Sequence, residues 1–322
     1  MEYSQNQDLK PLKDISKKGK DRKWRERKLK NIELAGRLDK LGYRSFERVY
    51  QCAEVLKFVE QQDGTKKLYQ SYFCKNKLCP ICNWRRSMKY AYQAELVVNE
   101  AMKRYPKGRF LFLTLTIKNV SGKELNKTLS KMTEGFRRLM MYKKVDKNIL
   151  GYLRATEVTY SSEHENYHPH LHVLLFVRPS YFRSKEDYLK QEDWTKLWAK
   201  AMKLDYVPVV DIRAVRAKKQ QDLKSAIIET AKYPVKPFDV DTSKEQLTEK
   251  DKDRVTADLT DGLYRKRQIG FGKLFKEIKA ELELDSIEEG NLVKTGADET
   301  TESTGREIIA IWNWDRKNYF VK

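Results

Sequence analysis

Residues 166–177 read NYHPHLHVLLFV and hold three of the four histidines in the chain. On a strand His168, His170 and His172 project to one face, while Leu171 and Val173 point the other way. Two imidazoles at i and i+2 can grip one divalent cation, and the apolar run that follows makes unligated imidazoles costly there. The preceding stretch, GYLRATEVTY, is expected to form a hairpin with this strand. A turn centred near Glu163 and His164 sets Glu157 across from His170. One carboxylate and two imidazoles make a three-ligand site with open positions, suited to Mn²⁺ or Mg²⁺ acting on a phosphate. Three roles stay open for His168: a fourth ligand, a group behind the ligands, or a phosphate contact. His164 reads as a loop residue.

All four cysteines fall between Cys52 and Cys82, with Cys74, Cys79 and Cys82 in the segment CKNKLCPIC. In a reducing compartment such a cluster reads as a metal site rather than a disulfide framework. Four thiolates suit tetrahedral Zn²⁺ and leave no open position, so the role expected is structural. The flanking NWRRSMK makes Arg85, Arg86 and Lys89 candidate DNA contacts.

A third element is SAIIETAKYPVKP, residues 225–237. Glu229 and Tyr233 are i and i+4 and share a helix face, with Lys232 and Lys236 beside the tyrosine. Taken alone, this is an amphipathic helix with an ordinary surface tyrosine.

The elements that must position these groups follow from periodicity. A strand is expected over 109–119, with Phe112, Thr114 and Thr116 on one face and Leu113, Leu115 and Ile117 on the other. A helix over 122–142, strands over 151–160 and 170–178, a helix over 184–202, a strand over 207–215 and a helix over 221–233 follow. The order β-α-β-β-α-β places the chain in the α+β class. The fold expected is a split βαβ (ferredoxin- or RRM-like) antiparallel sheet with helices on one face, the other free to form a site. The four-cysteine module and further helices add to it.

Lys plus Arg number 66 against 46 Asp plus Glu in 322 residues, a net charge of +20. A polyanionic partner is the first candidate, with binding that weakens steeply with salt. No apolar run approaches the roughly 18 residues a spanning helix needs, and residues 1–20 hold no leader-like apolar stretch. No membrane role and a cytoplasmic location are expected. Residues 10–30 carry eleven Lys/Arg and three acids. They read either as a solvated arm or as a strand-tracking arm, with Trp24 as a stacking face and Arg25 and Arg27 as DNA contacts. Along the chain the expected division is a basic arm with helices (1–50), the cysteine module (51–90), a catalytic domain (91–238) and a C-terminal region (239–322). That last region holds an acidic loop and an ordered end carrying Trp312 and Trp314.

Three segments in this order, FLTLT, HPHLHVLL and ETAKYPVK, resemble the three motifs of the HUH endonucleases. The resemblance is strongest to the rolling-circle replication initiators (Rep proteins) of small plasmids of Gram-positive bacteria, and it extends over nearly the whole chain. It implies that His170 and His172 are the metal pair, with Thr114 and Thr116 of the first motif in support. It also implies that Tyr233 is the nucleophile and Glu229 the hydrolytic carboxylate. Lys232 or Lys236 would then lower the phenol pKa or hold the phosphate. The family pattern fixes the third metal ligand least well. Implied partners are double- and single-stranded origin DNA and a host replicative helicase; the oligomeric state stays open. The competing readings are an HUH relaxase or transposase, and a zinc-dependent DNA-binding regulator with no chemistry. An RNA-binding sheet would show stacking aromatics at its exposed face, and the first strand lacks them there.

Overall fold

A computed structural model describes residues 10–17, 19–215, 220–231, 247–296 and 305–322. In chain order the elements are α1 (Trp24–Lys40), α2 (Phe46–Tyr50), β1 (Val55–Glu60), β2 (Lys66–Ser71), α3 (Pro80–Arg104), β3 (Arg109–Thr116) and α4 (Gly122–Met141). Then come α5 (Lys143–Asp146), β4 (Ile149–Ser161), β5 (Asn166–Val177), a 3₁₀ turn (Pro179–Phe182), α6 (Gln191–Met202) and β6 (Val210–Val215). The rest are α7 (Gln220–Ala231), α8 (Glu249–Gly262), β7 (Ile269–Lys273), α9 (Leu274–Glu281), β8 (Glu307–Asn313) and β9 (Asn318–Val321). The chain is mixed α and β with two antiparallel sheets, β2-β1-β8-β9 and β6-β3-β5-β4-β7.

The chain divides into two compact units, Met1–Lys89 with Glu289–Lys322, and Tyr90–Glu288. This differs from the four-part division read along the sequence. The C-terminal segment returns as β8 to pair with β1, so two ends distant in sequence share one sheet.

In the first unit the basic stretch around residues 10–30 is packed rather than splayed. Leu12 N–H donates to the Tyr319 carbonyl at 2.9 Å, and Pro11 bridges Phe320. Trp24 is 3% exposed, lies edge-on to Trp84 and Phe58, and donates from Nε1 to Asp14 Oδ2 at 2.7 Å. A stacking face for DNA is therefore ruled out for Trp24, whose ring is part of the core. Trp24→Ala is expected to cost about 3–5 kcal/mol, read as a lower melting temperature. Unchanged melting with weaker DNA binding would return the ring to the surface role.

In the second unit β3, β4, β5 and β6 carry the expected β-α-β-β-α-β succession in the order β6-β3-β5-β4, and β7 extends the β4 edge. The helix expected over 184–202 is shorter: a 3₁₀ turn and loop precede α6. Capping carboxylates start three helices, Glu124 accepting from Ser121, Asp193 from the Lys190 N–H and Asp251 from Thr248. The polar stretch after residue 246 is thus helical from Glu249.

Helices cover both faces, which corrects the expectation of one free face. Leu111, Leu113, Leu115, Leu171, Val173 and Leu175 are buried on the side of α4 and α6. On the other side Phe110, Phe112, Leu174 and Phe176 form one cluster with residues of α3, α7 and α9. The physical reason lies in the strands themselves. In β3 and β5 that second face is polar at one end, at Thr114, Thr116, His168, His170 and His172, and its aromatic end must be buried.

Candidate active site

Strand register assembles the site. Glu157 of β4 pairs with His170 of β5, and Thr114 and Thr116 of β3 pair with His172 and His170. The 13-residue and 12-residue strands of this hairpin hold that register from Gly151 to Ser161 with no further shift, so one alternation controls the whole site face.

Glu157 Oε2 lies 3.2 Å from His170 Nε2 and 2.9 Å from His172 Nε2. One ligand atom from each of the three residues falls within 4.8 Å of the others, a grouping that could hold a metal ion. The three side chains are only 11–18% exposed. Burial raises the Glu157 pKa, but the two imidazole hydrogen bonds outweigh it and bring it down to about 2. The carboxylate is therefore a permanent anion at neutral pH.

Both rings are held from behind. His170 Nδ1 donates to the His168 carbonyl at 3.2 Å, which turns Nε2 toward Glu157. His172 Nδ1 lies 3.3 Å from Thr114 Oγ1 and is steadied in the same way. Thr116 does not share this task, because its hydroxyl donates to the Val209 carbonyl at 2.8 Å. His168 stands outside the trio, with Nδ1 2.8 Å from Asn119 Oδ1 and its ring centroid 5.3 Å from that of His170. Burial, then the neighbouring His170, lower its pKa.

α7 packs over this face and carries Glu229, whose Oε2 accepts from Arg213 Nη2 at 2.8 Å. Arg213 in turn lies over the Phe112 ring at 4.9 Å, and that ring neighbours His172 at 5.6 Å. Glu229 and the imidazoles are thus linked through two intervening side chains on one face. Tyr233, Lys232 and Lys236 lie outside the described residues. Sequence reasoning missed Arg213. Its only sequence signal is the alternation of VDIRAV, and placing it needed the β3–β6 register, which pairs it with Phe112.

In the first unit, Cys52, Cys74, Cys79 and Cys82 are buried and unpaired as disulfides, with one sulfur from each within 4.8 Å of the rest. Sulfur separations are 3.6 Å for Cys52–Cys82 and Cys74–Cys82 and 3.7 Å for Cys52–Cys79. A tetrahedron with metal–sulfur bonds of about 2.3 Å has edges of about 3.8 Å, so the set fits one tetrahedral cation. The Lys75 N–H and the Asn31 amide point at the Cys82 and Cys79 sulfurs, both at 3.3 Å. The buried Lys28 ammonium donates to the Cys52 carbonyl at 2.8 Å, placing positive charge beside the cluster.

The basic residues after the cysteines are not available as expected. Arg85 is fully buried and donates to the Leu292 and Val293 carbonyls. Arg86 donates to the Lys75 and Asn76 carbonyls, and Lys89 to that of Asn291. These three cations tie the cysteine segment to neighbouring loops, which corrects their reading as DNA contacts. Arg27 is half-buried with its guanidinium 4.3 Å from the Trp84 ring centre, whereas Arg25 is exposed.

A family model described as "Replication protein" matches residues 65–320. A protein called "Protein rep" from Streptococcus pneumoniae serotype 2 (strain D39 / NCTC 7466) is 54% identical over 325 aligned residues, covering 100% of this chain and 98% of that protein. Proteins of the same name from Lentilactobacillus hilgardii and Bacillus amyloliquefaciens are 45% and 41% identical. They cover 96% and 99% of the chain and 98% and 100% of their own lengths. No solved structure matches at a significant level. Among the described residues no helix is long and apolar enough to cross a membrane.

Proposed function

The chain belongs to the replication-protein (Rep) family, and from that premise we propose that it initiates rolling-circle replication of a small plasmid by nicking one strand of the origin. The observation that carries the reading is the convergence of Glu157, His170 and His172 on the sheet face that α7 covers. The β6-β3-β5-β4 order suits the split βαβ core of an HUH nuclease.

In this reading the Tyr233 phenol oxygen attacks the scissile phosphorus, the bond to the 3′ oxygen breaks, and that oxygen leaves with a proton as a 3′-OH. The strand's 5′ phosphate stays on the tyrosine. Bound at Glu157, His170 and His172, Mn²⁺ or Mg²⁺ would supply Lewis-acid stabilisation of charge on a non-bridging oxygen. Glu157 contributes a fixed negative charge, and Thr114 and the His168 carbonyl keep both Nε2 atoms turned toward the centre. A free phenol has a pKa of about 10, and Lys232 or Lys236 would lower it or hold the phosphate. Glu229 accepts a proton from water when the bond is cut again, ending the cycle by hydrolysis. The four-cysteine centre takes Zn²⁺ in a structural role. Origin DNA, double- and single-stranded, is the partner, and a host helicase must open the nicked duplex.

Incubation with single-stranded origin oligonucleotide and Mn²⁺ is expected to give an SDS-resistant protein–DNA conjugate. Chelator or His172→Ala should abolish it, and a conjugate that survives both would sink the metal-dependent reading. Thr114→Val is expected to bind Mn²⁺ about tenfold more weakly without a change in melting temperature, measured by calorimetric titration. Equal affinity would show that the hydroxyl does not orient His172.

A further inference from the structure

Beside the imidazoles the sheet face opens into a cleft of about 270 Å³ between the end of β3 and the segment leading into β6. Thr116, His168, Lys118, Tyr206, Val207 and Val209 are among the residues that line it. Thr116 pairs with His170, and the His168 ring neighbours the His170 ring, so the cleft lies next to the candidate metal site.

Its outer wall is unusual for a protein surface. Val207 is 83% and Val209 73% exposed, while Pro208 between them is buried, so two apolar side chains stand clear of the fold at alternate positions. The wall is held in place by backbone bonds. Thr116 N–H and hydroxyl both donate to the Val209 carbonyl, at 3.2 and 2.8 Å. The Tyr206 ring is fixed as well: its hydroxyl accepts from the Lys118 N–H at 2.9 Å, and the Lys118 ammonium lies 4.2 Å from the ring centre. The cleft therefore offers a rigid apolar slot with one cation at its rim, next to a site suited to phosphate.

We propose that this cleft seats the nucleobase adjacent to the scissile phosphate of a single strand, against Tyr206, Val207 and Val209, with Lys118 on the neighbouring phosphate. The inference rests on the strand-cleaving reading of the imidazole site. A base has the flat apolar faces that such a wall accepts without regard to sequence, and the phosphates on either side of it match the lysine. Holding the base would fix the strand's path across the metal ligands and present one phosphodiester to the nucleophile.

Full-length protein is titrated, by fluorescence anisotropy, with a short oligothymidylate and with an abasic strand of equal length. The parent chain is expected to prefer the strand with bases by about tenfold. The double variant Val207→Ser/Val209→Ser, altered only at exposed side chains, should lose most of that preference while binding the abasic strand as before. Lys118→Ala should weaken both strands alike. A preference left intact in the double variant overturns the proposal. The covalent-conjugate assay is read separately on the parent chain. Absence of conjugate with the valine-dependent preference present overturns the chemistry alone. Conjugate with a preference indifferent to the valines overturns the cleft alone.

Discussion

Tyr233→Phe is expected to reduce covalent conjugate and nicking to background while affinity for origin DNA stays that of the parent chain. The loss should be on the order of 10⁴-fold or more, the scale seen when a covalent nucleophile is deleted. Phenylalanine keeps the ring and removes only the oxygen that would bond to phosphorus. Glu229→Ala, four residues earlier in the sequence, separates the two cleavages. It should still form conjugate, because that step uses the tyrosine, but release by hydrolysis should slow by about 10²–10⁴-fold. Gel analysis of labelled oligonucleotide reads both steps. A Tyr233→Phe chain that still becomes attached to DNA would assign the nucleophile elsewhere. A Glu229→Ala chain that releases DNA at the parent rate would leave the carboxylate with only its Arg213 ion pair.

Cys82→Ser is expected to abolish metal binding in the first unit and to unfold it. The Cys82 sulfur sits 3.6 Å from both Cys52 and Cys74, so its loss opens the tetrahedron at a shared corner. Structural zinc sites of this kind contribute roughly 10–16 kcal/mol of binding free energy at neutral pH, more than the 5–15 kcal/mol by which a typical domain is stable. Burial pushes the Cys52 and Cys74 thiols well up, so these two sulfurs stay protonated unless a cation takes up the thiolate charge. Metal content by mass spectrometry should fall by one equivalent, and limited proteolysis should cut within residues 10–89 before it cuts the second unit. A Cys82→Ser chain with parent melting behaviour and parent protease resistance would remove the structural role.

The two groups that could hold a metal were legible because their chemistry is local. The His170/His172 pair needs only the two-residue period of a strand, and Glu157 follows from a tight hairpin whose register its short turn sets. The cysteines lie within one short window, and the sequence holds none elsewhere. The chain order of strands and helices in the second unit was readable for the same reason, since each element announces itself through its own periodicity.

Placement decided the rest. A basic residue looks alike in sequence whether its charge meets water or a buried carbonyl, and only tertiary packing turned Arg85, Arg86 and Lys89 inward and put Trp24 in the core. The pairing of β1 with β8 closes a sheet over some 250 residues of intervening chain, which no local pattern encodes. Likewise Arg213 meets Glu229, and Val207 and Val209 come to flank His168, through the β3–β6 register, a long-range pairing chosen by burial of the whole face rather than by any neighbour in sequence. Residue type and short-range period thus determine which chemistry the chain can carry. The packing of distant segments determines which side chains reach it.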